Sequence, residues 1–146
     1  MNFKILLAII FMIFGINTSH ATVVKNLPPC PQSPNCVSSQ AQATDKTHFI
    51  APFKIVGAVD SASTALKNAL LSQNRTVITQ ETDNTLHAEA TSLIFRFVDD
   101  VDVILDSEAR LFHIRSASRV GYGDFGVNRK RVEDLRAKLQ AAGVIE

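Results

Sequence analysis

The sequence contains no tryptophan, one tyrosine and two cysteines, and its net charge is only +1 over 146 residues. Two cysteines are too few for a multi-bridge disulfide scaffold or a zinc cage built from thiolates. The near-zero charge excludes a strongly basic nucleic-acid binder and an acidic disordered tail. The length allows one domain and argues against two. Internal repeats and low-complexity runs are absent. What remains is an ordinary globular composition, 46% apolar and 20% charged, able to bury one core.

The N-terminus reads as a targeting segment. Lys4 supplies a positive start, Ile5 to Ile16 form an apolar run, and Ser19-His20-Ala21 places small residues at a cleavage site. That is the form of a secretory signal peptide over residues 1–21. The alternative is a membrane tether through residues 5–16. Twelve helical residues reach only about 18 Å, short of the roughly 30 Å hydrocarbon core. The expectation is therefore a periplasmic or secreted protein, in contact with a membrane only through the N-terminal segment if that segment stays uncleaved.

Export sets the reading of the cysteines. Cys30 and Cys36 enclose Pro-Gln-Ser-Pro-Asn, and in an oxidising compartment the pair is expected to form a disulfide. Closing so small a loop contributes about 2 kcal/mol, less where Pro31 and Pro34 already stiffen the chain. The Cys-x5-Cys spacing disfavours a thioredoxin-type redox motif. Residues 22–47, rich in Pro, Ser, Gln and Thr, are expected to form an extended arm carrying this loop.

Residues 48–146 are expected to form a single α+β domain. Phe53 to Val56 is a short strand candidate. Ala62, Ala65, Leu66, Ala69 and Leu70 mark one face of a helix from Ser61 to about Gln73, with Asp60 as its cap. Arg75–Glu81 and Thr85–Ala90 read as strands around a Thr-Asp-Asn turn. From Leu93 the apolar parity shifts to odd positions, through Phe95, Phe97, Val101, Val103 and Leu105. A regular strand cannot change faces, so Thr91-Ser92 should hold a bulge, bend or break.

A turn at Ser107-Glu108 would pair Val103 with Phe112, Asp102 with His113 and Asp100 with Arg115. An even slip would keep every face and change every partner. A final helix carries Val132, Leu135, Leu139 and Ala142, starting at Asp124 or Asn128. Its stripe extended backwards reaches Asn128 and Phe125. The order β-α-β-β-β-β-α implies a two-layer sandwich: an antiparallel sheet of four to five strands with two helices on one face.

Three blocks, CPQSPNCVSS at 30–39, FRFVDD at 95–100 and RSASRVGYGDFGVNRKRVE at 115–133, resemble the signature of the domain-of-unknown-function 1499 family, a group of uncharacterised exported bacterial proteins. The resemblance runs from about residue 28 to residue 140. It departs mildly at Gly123, where the family usually has Ser, and at Asp102, often Glu. The family brings no established activity. The resemblance implies that Arg115, Ser116, Ser118, Arg119, Gly121, Tyr122, Asp124, Gly126, Asn128 and Arg129 occupy signature positions.

Arg115 and Arg119 lie four apart on one strand and share a face. Arg129, at the start of the following helix, could approach them. With Tyr122 and Asn128 they form a candidate site for a small anionic ligand or an envelope protein. The competing reading is a structural polar network, in which Arg96, Asp99, Asp100, Asp102, Ser116, Ser118 and Asp124 tie strand to strand. Asp99 falls on the core face and needs a partner there, with Ser116, Ser118 or Asn128 available.

No metal or cofactor is expected, because alternation lets only Asp100 and Asp102 converge and calcium takes six to eight oxygen ligands. A hydrolase using His113 or the Asp99–Asp102 carboxylates is the rival, and a purely structural envelope protein is the third reading. His113 beside Asp102 could act as a base, but Ser116 and Ser118 point the other way and no nucleophile elbow exists. His48 and His87 read as isolated. The near-zero charge also hides two opposed blocks. Residues 81–108 carry eight acidic side chains against Arg96, and residues 109–138 carry eight basic against three acidic.

Overall fold

The computed structural model describes residues 26–146. The expected signal peptide and the first residues of the arm lie outside the described residues.

Six strands and two helices follow in the order β1 (Cys36–Ser38), β2 (Phe53–Lys54), α1 (Val59–Leu71), β3 (Thr76–Glu81), β4 (Thr85–Thr91), β5 (Val98–Asp106), β6 (Leu111–Ser118) and α2 (Val127–Ala141). They form one antiparallel sheet in the order β1-β6-β5-β4-β3, with β2 also on β6. The sheet is α+β in class and five positions wide. Its edge beyond β6 is split, with β1 against Arg115–Ala117 and β2 against Leu111 and Phe112. The arm is therefore part of the sheet. Cys36 and Val37 are buried, and the Cys30–Cys36 disulfide is formed.

Alternation along the strands separates two faces. Leu86, Ala88, Val101, Val103, Phe112 and Ile114 face the helices. There they pack with Leu66 and Leu70 of α1 and Val132, Leu135 and Leu139 of α2. Each such large side chain, fully buried, contributes roughly 1.5–3 kcal/mol. Asp60 does not cap α1. Ala58 holds the cap position without a side-chain bond, and Asp60 sits in the first turn, where a negative charge suits the helix dipole.

Two expectations change. The β5–β6 connection is a four-residue turn, Ser107 to Arg110, closed by a bond from Ala109 N–H to Asp106 Oδ1. Arg110 takes the left-handed backbone that ends it. The register therefore slips by two: Val103 pairs with Ile114, Asp102 with Arg115, and Asp100 with Ala117. The faces survive and the partners do not. The break after Thr91 is wider than a bulge. Residues 92–97 leave the sheet as a loop, so Leu93, Phe95 and Phe97 do not reach the core face and are exposed.

Candidate functional site

Two polar networks form at the end of β5 and β6 nearest the disulfide loop, one on each face of the sheet. Between them they account for most of the residues singled out from the sequence.

On the helix face, Arg131 is the centre. Its Nη2 donates to Asp99 Oδ2 at 2.6 Å, and its Nη1 donates to Ser116 Oγ and Asn128 Oδ1. Asp99 thus finds its core-face partner in Arg131, and none of the three candidates named from sequence supplies it. Asn128 is fully buried, as is Ser116, which donates to Asn128 Oδ1 at 2.6 Å. The Asn128 amide donates to Ser118 Oγ, Asp124 Oδ2 and the Asn35 carbonyl. Asn128 is consequently a structural residue. Every polar atom of its side chain is engaged inside the protein, and none is left for a ligand.

Asp124 caps α2 from outside the helix. Its two oxygens accept from the N–H groups of Gly126 and Asn128. Gly126, in left-handed backbone, holds the N-cap position between them. Asn35 extends the network to the disulfide loop. It donates to the Gly121 carbonyl at 2.7 Å and accepts the Ser118 N–H at 3.0 Å.

On the opposite face, six side chains form a continuous chain. Arg115 Nη1 donates to Asp102 Oδ2, and Asp102 Oδ1 lies 2.6 Å from His87 Nδ1. His87 Nε2 lies 3.4 Å from Asp100 Oδ1. Arg119 then binds Asp100 through Nε and Nη2, and Glu89 through Nη2. Asp100, with Glu89 second, raises the pKa of Arg119 further and fixes its positive charge. His87, read from sequence as isolated, bridges two aspartates. Alternation with the buried Leu86 and Ala88 puts it on this face, and cross-strand pairing with β5 supplies the partners.

The anion site expected from sequence is not assembled as a cluster. Arg115 and Arg119 are engaged by carboxylates on the outer face. Arg129 lies in the first turn of α2 and donates to the Lys46 and Thr47 carbonyls. Arg96 joins neither network among the described residues: it sits in the 92–97 loop with φ 56°. Tyr122 is 75% exposed.

The catalytic alternatives are equally scattered. His113 and Ser116 lie on opposite faces of the sheet, so the pairing that a hydrolase would need does not form. His113 instead lies 3.4 Å from Ser39 Oγ, a hydroxyl that also accepts the Ile114 N–H. Asp99 is separated from Asp100 and Asp102 by the sheet itself. His87, Glu89 and Asp100 place ligand-type atoms within 4.8 Å of one another. Arg119 already bonds both of these carboxylates, which removes the charge a cation would need.

His48, also read as isolated, pairs with Asp45 at 2.7 Å and reaches the Ser33 carbonyl of the disulfide loop. Their hydrogen bond raises the imidazole pKa and lowers that of the carboxyl.

Beyond both networks lie two loops, whose Leu93, Phe95, Phe97 and Phe125 the apolar pattern places on core faces. The β4–β5 loop, 92–97, exposes Leu93, Ile94, Phe95 and Phe97, with Ile94 at 78% and Phe95 at 73%. The β6–α2 connection, 119–126, exposes Val120, Tyr122 and Phe125, followed by Val127 at the start of the helix. The bond from Arg119 N–H to the Val98 carbonyl brings the bases of the two loops together. Phe125 is fully exposed and holds φ 54°. That contradicts the projected helical stripe, which continued through Asn128 and stops there.

A family model described as a protein of unknown function (DUF1499) matches residues 26–139. The chain belongs to this family. No curated protein matches it. In this DUF1499 chain the signature residues divide into two sets. Arg115, Ser116, Ser118, Arg119, Gly121, Asp124, Gly126, Asn128 and Arg129 build the polar networks and the start of α2. Tyr122, and Phe95 of the second block, stand in solvent.

Proposed function

We propose that the protein is an exported, non-enzymatic docking module of the cell envelope, and that it meets its partner through the paired loops 92–97 and 119–127. One observation carries this reading: eight large apolar side chains stand exposed in two neighbouring loops at one end of the sheet. A contiguous exposed apolar surface on a folded domain commonly marks a contact site.

Local backbone geometry supports it. A non-glycine residue in the left-handed region costs about 1–3 kcal/mol, and such residues gather at binding sites. Both loops contain one, Arg96 and Phe125. The polar networks beneath supply rigidity. Asn128, Asp124 and Arg119 fix the ends of the second loop, and Ser92 closes the first by accepting the Phe97 N–H through its hydroxyl. The notion of export rests on the N-terminal sequence pattern together with the disulfide.

Of the arginines first singled out for anion recognition, only Arg129 stays without a carboxylate partner among the described residues, and Arg75 and Arg96 join it. Arg115 and Arg119 each have one.

A photo-crosslinking residue placed at Phe95, at Phe125 and at Ala109 in the source cell tests the reading. Ala109 lies in the turn at the other end of β5 and β6. Adducts to an envelope component are expected from the first two positions and not from the third. Equal labelling at all three, or none at any, would overturn the docking surface.

A further inference from the structure

The partner's chemistry can be read from the shape and charge of this surface. Resting on the docking reading above, we propose that the two loops dock onto a bilayer surface carrying anionic headgroups, with their apolar tips inserted among the lipids.

The apolar groups protrude. Phe125 is fully exposed, and Ile94 and Phe95 are more than 70% exposed. Left-handed backbone at Arg96 lies between Phe95 and Phe97, whose rings stack at 5.5 Å. The two rings thus form one preassembled knob. A convex knob needs a yielding acceptor. The interfacial region of a bilayer is one, and it accommodates aromatic tips without a complementary pocket.

The charge around the knob has one sign. Arg75 is anchored beside the loop base: its carbonyl accepts the Thr91 N–H, and its Nε donates to the Thr91 carbonyl. Arg96 lies within the apolar run itself. Both guanidinium groups lack a carboxylate partner among the described residues. The nearby carboxylates are already engaged: Asp99 by Arg131, Asp100 and Glu89 by Arg119, Asp134 by Lys130, and Asp124 by backbone N–H groups. This end of the domain therefore presents uncompensated cations around apolar tips, the combination that anionic lipid surfaces attract.

A second copy of the chain fits less well. A two-fold contact buries the same patch on both partners and would bring like-charged arginines together inside it.

The absence of tryptophan supplies a clean probe. Phe95→Trp, Phe125→Trp and Ala109→Trp each create a single reporter in the chain as recovered after natural export, so all three share one N-terminus. Vesicles of phosphatidylcholine alone are compared with an equal mixture of phosphatidylcholine and phosphatidylglycerol. The expected result is a blue shift and quenching by brominated lipid for the tryptophans at 95 and 125, with the mixed vesicles only. The Ala109→Trp reporter should not respond.

Arg96→Gln should weaken vesicle binding about fivefold, since one arginine near such a surface contributes about 1 kcal/mol. Added salt should weaken binding further. Ile94→Ser with Phe95→Ser should diminish the response of the tryptophan at 125, because the two loops enter together.

No response to either vesicle would overturn the proposal. So would equal responses at all three positions, which point to the N-terminal segment. So would a blue shift that rises with protein concentration without lipid, which assigns the patch to a second copy. Crosslinking in the cell separates this failure from failure of the docking reading. Protein adducts at Phe95 without a vesicle response leave a protein partner in place of the bilayer. No adduct and no response remove both readings.

Discussion

Arg131 Nη2 donates to Asp99 Oδ2 at 2.6 Å, and each side chain is only 12% exposed. The bond ties the first turns of α2 to the central strand β5, whose core face would otherwise hold an unpartnered carboxylate. Removing one member of a nearly buried pair strands the other, at about 3–5 kcal/mol. Arg131→Ala and Asp99→Ala should each lower stability by roughly that amount in urea unfolding. The double variant should lose clearly less than the sum of the two. Full additivity would show that the pair does not act as a unit.

Asn128 is the second anchor. Asn128→Ala removes partners from Asn35, Ser116, Ser118, Asp124 and Arg131 at once. Stranded buried groups cost about 1–3 kcal/mol each, tempered by relaxation. The variant should be markedly destabilised, and amide exchange should accelerate at the Ser118 N–H, which donates to Asn35. Exchange there at the wild-type rate would contradict the link from helix to disulfide loop.

The hairpin register has its own test. Arg115 faces Asp102 in the observed register and does not bond Asp100. A double-mutant cycle between Arg115 and Asp102 should give a coupling energy of about 0.5–3 kcal/mol. The same cycle between Arg115 and Asp100 should give none beyond error. Reversal of the two results would restore a two-residue turn.

That register shows where the sequence stops being legible. Alternation placed Asp100, Asp102, His113 and Arg115 on one face, because period 2 is a property of the strand alone. Their partners depend on turn length, and the run from Asp106 to Arg110 supports both a two-residue and a four-residue turn. A carboxylate on the core face was readable as a residue in need of a partner. Arg131 was missed because, within a run of basic residues, nothing local distinguishes the one turned inward.

The exposed β4–β5 loop was misread for a related reason. The odd-numbered spacing of Leu93, Phe95 and Phe97 matches a buried strand. Only the bond from Ser92 N–H to the Phe97 carbonyl, with left-handed Arg96 between them, makes these residues a loop. Hydrophobic pattern reports an apolar environment and does not say whether the protein or a partner supplies it.

The arm predicts a pH dependence. His48 has a pKa raised above 6.5, through its bond to Asp45 first and the Ser33 carbonyl as well, against the opposing charge of Arg129. Asp45 has a pKa lowered below 3.8 by the same pair. The imidazole's contribution is complete below about pH 6.5 and is lost as pH rises through its folded value. The carboxylate's contribution is present above about pH 4 and is lost as pH falls through its own folded value. Amide exchange in residues 33–48 should therefore be slowest, relative to the intrinsic rate, between these limits. Asp45→Asn should flatten the profile. A profile unchanged by that substitution would remove the pair from the arm's stability.

The central claim is a division of labour: buried polar networks hold the fold, and exposed apolar loops hold the partner. Its most direct measurement compares the wild-type chain with the triple variant Leu93→Ser, Phe95→Ser and Phe125→Ser, by thermal unfolding and by retention in the envelope fraction of the source cell. Exposed substitutions typically shift stability by no more than about 0.5 kcal/mol each. The account predicts a near-unchanged midpoint and lost retention. A large drop in midpoint, or undiminished retention in a folded triple variant, would contradict it.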